Sequence, residues 1–116
     1  MSFFDHEVVQ TVNVVTMRLP ELIDPLEFDR INEMMLALLD GKAAGKWVLD
    51  LAGVNYIGSA MLGLFVNIRQ RVKKAGGTLV LCNMSPRLLE IFHTCSMERL
   101  FTINRTRADA MKTMSR

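Results

Sequence analysis

The sequence predicts an α/β domain: a mixed, mostly parallel central sheet of about five strands with four helices packed against it. Three observations carry this. From Pro25 onward helical and extended patterns alternate, and such alternation implies right-handed crossovers between parallel strands. The stretch Trp47 to Leu81, WVLDLAGVNYIGSAMLGLFVNIRQRVKKAGGTLVL, reads as a buried strand, a turn, a long helix and a second buried strand. The chain has 116 residues, 50% hydrophobic and 22% charged, enough for one domain with a real core and too short for two ordinary ones. Residues 1–116 are accordingly read as a single domain.

The elements follow in order. Val8 to Met17 holds two β-branched runs separated by Thr11 and Asn13, the pattern of a hairpin or paired edge strands. Arg18 to Ile23 is a loop. Asp24 can cap the next helix, Pro25 suits its first position, and Glu27 completes a capping box. Phe28, Ile31, Met35 and Leu38 recur at helical spacing and are expected in the core, and Asp40-Gly41 ends the helix. Trp47 to Leu51 is a short strand whose weak alternation suits burial on both faces. Ala52 to Gly58 is a loop, and Ser59 to Lys74 a helix with a core stripe of Met61, Phe65, Ile68, Val72 and Ala75. Gly76-Gly77 stops it before the strand Thr78 to Cys82. Ser85-Pro86 opens a helix, with Met84 and Leu89 placed as a hydrophobic staple and Leu88, Leu89 and Phe92 as a sticky face. Leu100 to Ile103 is a last short strand. Thr106 and Asp109 start a terminal helix carrying Met111 and Met114.

Composition excludes several functions. Fourteen Lys and Arg against 12 Asp and Glu give a formal charge of +2, too balanced for a nucleic-acid or anionic-membrane binder. The N-terminal MSFFDHEVVQ is no signal peptide, and Asn67, Arg69 and Lys73 interrupt the longest apolar run, so no membrane insertion is expected. Cys82 and Cys95 lack CxxC spacing and are read as reduced, buried thiols of a cytoplasmic protein. The nine methionines are read as core filling.

Catalytic and metal-binding patterns are missing. His6 and His93 stand far apart, and no HExxH, paired-cysteine or acidic calcium motif is present. The loop Gly41 to Gly45 has glycines without a phosphate-loop pattern, which leaves Lys42 and Lys46 as solvated charges. Ser59 lacks an evident base, so His93 is not expected to activate it. The chain is therefore expected to catalyse nothing and to need no metal or cofactor. Ser59 itself has two readings at a helix start. It can cap the helix, contributing about 1 kcal/mol, or it can accept a phosphate, adding roughly −1.5 to −2 charges at pH 7. Gly63 lies inside the same helix at a cost of about 1 kcal/mol relative to Ala. Leu62 and Val66 lie beside it, off the core stripe. Together they are read either as an exposed docking patch or as local packing under the N-terminal strands or first helix.

At VLDLAGVNYIGSAMLGL and GGTLVLCNMSPRLLEIF the chain resembles the STAS domain family, and within it the bacterial anti-sigma factor antagonists. Asp50-Leu51, Tyr56, Ser59, Leu62, Gly63, Gly76-Gly77 and Ser85-Pro86 match the family pattern, over about Val8 to Met114. The resemblance implies a cytoplasmic regulatory protein that binds an anti-sigma factor. That partner is also a serine kinase and binds the ATP itself. Phosphorylation at Ser59 then ends the interaction. The partner-binding residues implied are Tyr56, Gly58, Ser59, Leu62, Gly63 and Val66. Two departures stand out: the family's Asp before the serine is Gly58 here, and Ala60 and Met61 replace Ser or Thr and then Gly. The alternative reading is a non-switching STAS subunit of a stressosome-type or lipid-transport complex, in which Ser59 only caps the helix.

Overall fold

The computed structural model describes residues 3–115. The elements are β1 (Phe4–Val9), β2 (Val12–Leu19), α1 (Pro25–Leu39), β3 (Lys46–Val54), α2 (Ser59–Lys74), β4 (Thr78–Cys82), α3 (Pro86–Thr94), β5 (Thr102–Asn104) and α4 (Arg107–Met114). The strands form one sheet in the order β1-β2-β3-β4-β5, antiparallel between β1 and β2 and parallel elsewhere. This is the predicted α/β fold with its mixed five-stranded sheet and four helices.

The hairpin begins earlier than the sequence pattern suggests. Its turn is Gln10-Thr11, with φ of 49° and 68°, a left-handed pair that matches strand twist in a two-residue hairpin. Neither residue is the usual glycine or asparagine of such a turn. β1 is an edge strand with mostly exposed side chains, so it carries little apolar alternation to read.

β3 is the middle strand, and its alternation divides the core. Trp47, Leu49 and Leu51 face α1, α2 and α3, while Val48 packs with Ala110 and Met114 of α4 on the other face. Burial on both sides is why the strand reads as a continuous apolar run. Opposite β2 the register slips by one residue, from Thr16–Asp50 to Arg18–Gly53, and this bulge lengthens β3 to Val54, beyond the expected end at Leu51.

The local stop and start signals act as read. Asp24 Oδ1 accepts from the Glu27 amide at 2.8 Å and Glu27 Oε1 from the Asp24 amide at 3.1 Å, a complete capping box. Ser85 and Thr106 accept from the amides of Leu88 and Asp109. Gly77 sits where a Cβ would collide with the carbonyl oxygens of Ala43 and Gly45, so the turn into β4 packs backbone against backbone.

Several core assignments shift by a residue. On α1, Ile31, Met35 and Leu39 are buried while Phe28 and Leu38 are half-buried. Of the three residues expected to form a sticky face on α3, Leu88 and Phe92 are buried and Leu89 remains on the surface. Ala75 is the C-cap of α2 and is exposed. Phe65, Phe92 and Phe101 form a chain of ring contacts, 6.4 and 5.7 Å between centroids, that locks α3 onto α2. The two cysteines differ: Cys82 is buried, but Cys95, at the C-cap of α3, is exposed, contrary to the expectation of two buried thiols. Burial, aided by the negative charge of Asp50, pushes the Cys82 thiol up to about 12, which keeps it neutral and unreactive.

Candidate functional site

The loop that follows β3 delivers Ser59. Gly58 is the N-cap of α2, with φ −90° and ψ −179°, and it contributes no side-chain cap. Ser59 is therefore the first helical residue and not the cap, one position later than the capping reading requires. It is exposed. The amides of the first turn thus point out of the helix without a side-chain acceptor from Gly58.

Two apolar hollows flank the ridge Tyr56 to Gly58. One, of about 280 Å³, lies between this loop and α3 and is lined by Tyr56, Ile57, Ser59, Leu62, Ile91 and Cys95 among others. The other, of about 220 Å³, lies toward α1 and is lined by Leu22, Ile23, Phe28, Ile57 and Met61 among others. The ridge is braced. Arg87 stacks over the Tyr56 ring at 5.3 Å from its centroid and pairs with Glu21 at 2.5 Å. Glu21 also accepts from Asn55 Nδ2 at 3.1 Å. A larger hollow of about 550 Å³ lies between the C-terminal ends of α1 and α2, and none of Tyr56, Gly58, Ser59, Leu62, Gly63 and Val66 lines it.

The structure brings Tyr56, Gly58, Ser59 and Leu62 to one groove. Gly63 follows on α2 with open space where a side chain would stand, and Val66 is half-buried against the core. Neither lines a groove beside the ridge. The expectation that Leu62 is exposed is wrong. It is only 7% exposed and belongs to the core, because α3 closes over that side of α2 and widens the buried stripe to include Leu62. Truncating Leu62 to Ala is expected to cost about 2 kcal/mol by removing buried methyls and leaving a gap. Urea unfolding checks this, and an unchanged midpoint would place Leu62 outside the core.

Among the described residues neither histidine lines the groove at Ser59, whereas Glu90 does. The His93 ring lies 2.9 Å from the Glu98 carboxylate and does not line the groove. His6 stacks on Trp47 at 5.8 Å and hydrogen-bonds Asn13. Among the described residues no group of three or more His, Cys, Asp or Glu is placed to hold a metal ion. No helix among them is long and apolar enough to cross a membrane.

One cluster was not foreseen. Asp50, at the α4 face of β3, is 4% exposed and fully engaged. Arg107 Nε donates to its Oδ2 at 2.8 Å, while Ala52 N and Asn83 Nδ2 donate to its Oδ1, each at 3.1 Å. The same guanidinium reaches Thr16 Oγ1 at 2.6 Å and Glu7 Oε1 at 3.3 Å. Asp50 thus ties the bulge in β3 to Asn83, upstream of the two segments that line the groove. Asn83 holds φ of 57°, and its bond to Asp50 helps keep that left-handed turn.

The STAS domain family matches residues 5–110 of the chain. The chain belongs to the STAS domain family. Its sequence is 30% identical over 98 residues to the anti-sigma-B factor antagonist of Bacillus subtilis, across 84% of this chain and 88% of that protein. The fold superposes on an anti-sigma-factor antagonist (STAS) domain protein from Planctomyces limnophilus with a TM-score of 0.85 and 24% identity, covering 97% of this chain and 98% of the other. It also superposes on the phosphorylated form of the Bacillus cell fate determinant SpoIIAA, with a TM-score of 0.67 and 18% identity, covering 95% and 97%. These likenesses of structure establish a shared fold.

The position before Ser59 now has a geometric meaning in this STAS domain. An acid there would sit at the N-cap of α2 and accept from its first amides. Gly58 leaves that role empty, and a Cβ at this position meets nothing within 4 Å. Gly58→Asp is therefore expected to stabilise the STAS domain. The cap is worth a few tenths of a kcal/mol over glycine and the charge about 0.3–1 kcal/mol more at the helix N-terminus. Thermal unfolding at neutral pH checks this, with a melting temperature raised by a few degrees as the expected result. A lower melting temperature would contradict the capping geometry.

Proposed function

We propose that this STAS domain is a cytoplasmic anti-sigma factor antagonist, without catalytic activity of its own. In this reading it binds an anti-sigma factor that is also a serine kinase, and phosphorylation of Ser59 switches it off. The ATP is bound by the partner. The observation that carries the reading is the exposure of Ser59 at the uncapped start of α2, on the rim of an apolar groove lined by Tyr56, Ile57 and Leu62. An exposed hydroxyl is within reach of a kinase. The groove offers apolar area to a partner at the same place. A phosphate on Ser59 adds roughly two negative charges where a docked partner would have excluded water, while the free helix tolerates an anion at its N-terminus.

The site for such a partner is Tyr56, Gly58, Ser59 and Leu62 in the groove, with Gly63 and Val66 continuing along α2. Gly63 lets another backbone approach closely, which gives a purpose to a glycine inside a helix. The experiment is incubation with the cognate anti-sigma factor and ATP, followed by mass mapping of the phosphosite. Incorporation of one phosphate at Ser59, abolished in Ser59→Ala, is the expected result. Phosphate at another residue, or none although the complex forms, would sink the switch.

A further inference from the structure

A second exposed feature borders the same site from the other side. Leu22 and Leu26 are 88% and 69% exposed, the two most exposed large hydrophobic side chains among the described residues. Leu22 lies in the loop before α1 and Leu26 in its first turn, and neither is covered by the core. Leu22 lines the hollow that Tyr56, Ile57 and Gly58 also line, so at Leu22 this apolar knob is continuous with the ridge that carries Ser59, and Leu26 follows in the first turn of α1.

The charge around the knob is the second observation. Glu21, Asp24, Glu27 and Asp29 all fall within nine residues that contain no Lys or Arg. Arg30 follows directly, Arg87 is taken by Glu21, and Arg18, three residues before Glu21, is paired with Asp5. The local balance is four carboxylates against two guanidiniums in a chain whose net charge is +2. Acid is concentrated where the leucines project. A patch of this kind fits a partner of opposite character, one that offers an apolar pocket rimmed by Lys or Arg.

We infer that Leu22 and Leu26 form a second anchor for the anti-sigma factor, inserting into a basic-rimmed apolar pocket on that protein while the groove beside Ser59 is engaged. This rests on the function proposed above and extends the interface from α2 onto the loop before α1. The knob supplies buried apolar area, and the carboxylates around it act on the rate of encounter, as rim charges do. A phosphate on Ser59 leaves the knob itself unchanged, so the two anchors are separable by mutation.

The test is calorimetric and kinetic titration of the whole chain with the anti-sigma factor. Leu22→Ser with Leu26→Ser removes two exposed side chains and is expected to leave the melting temperature within a degree or two while weakening binding at least tenfold. Asp29→Lys, a separate variant, is expected to slow association severalfold and to flatten its dependence on salt between low and physiological ionic strength. Ser59→Asp serves as the control for the parent reading. If Ser59→Asp abolishes binding while the double leucine variant binds as wild type, the second anchor is refuted and the switch stands. If the wild-type chain does not bind the anti-sigma factor at all, both fall. If the double leucine variant binds weakly but Ser59→Asp binds as wild type, the anchor holds and the switch is refuted.

Discussion

Ser59→Asp is expected to weaken the complex with the anti-sigma factor more than a hundredfold while leaving the domain folded. The two halves of this result come from different physics. In the free protein the aspartate stands in the first turn of α2, where an anion is favoured by about 0.3–1 kcal/mol. Gly58 provides no competing cap, so the new carboxylate meets unoccupied amides. At an interface the same charge must lose its water beside the apolar surface of Tyr56, Ile57 and Leu62, and this costs several kcal/mol unless the partner supplies a cation. A net loss of about 3 kcal/mol is more than a hundredfold in affinity. Ser59→Ala makes the contrast: it is expected to bind as wild type and accept no phosphate. Titration calorimetry with both variants, paired with circular dichroism, checks the prediction. Equal affinities for wild type and Ser59→Asp would favour the non-switching subunit reading, in which the serine is only part of a helix start.

The largest loss of stability is expected from Arg107→Ala. Asp50 is buried, and its charge is matched chiefly by the guanidinium of Arg107. Removing that partner leaves a buried carboxylate with only the Ala52 amide and the Asn83 side chain as donors. Loss of one partner of a buried ion pair costs about 3–5 kcal/mol, and the lower end applies because Arg107 is itself 37% exposed. Thr16 and Glu7 lose a donor as well. A total stability of roughly 5–15 kcal/mol makes this a large fraction. Urea unfolding of Arg107→Ala, Asp50→Asn and the double variant checks it. The double variant should cost about 1–3 kcal/mol less than the sum of the single ones, since the two side chains interact directly. Strict additivity would mean that the pair contributes nothing as a pair.

The local signals were legible. Asp24 with Glu27, Ser85 with Leu88, and Thr106 with Asp109 each satisfy amides within four residues of themselves, so sequence alone contains both partners of each bond. The alternation of elements gave the parallel sheet for the same reason: crossovers follow from chain order and handedness. The position of Ser59 at the mouth of α2 was also written in the sequence, to within one residue.

What the sequence could not contain is distance between residues far apart along it. Leu62 lies beside the stripe that helical spacing marks, and periodicity gives the centre of a buried face but not its width. At Leu62 the width is set by α3, which packs on the same face of the sheet as α2 and brings Ile91 beside it. Cys82 and Cys95 look alike as isolated thiols, yet one lies inside a strand under α4 and the other ends a helix at the surface. Arg107 meets Glu7 across 100 residues and Asp50 across 57, contacts that exist only because α4 folds back over the middle strands. By itself, then, the chain determined its elements, the caps of α1, α3 and α4, and the place of Ser59 to within one residue, because short-range hydrogen bonds and periodicity fix those. The tertiary structure alone decided which apolar groups are core, which remain for a partner, and how the buried Asp50 is neutralised, because burial and charge pairing depend on which elements the fold brings together.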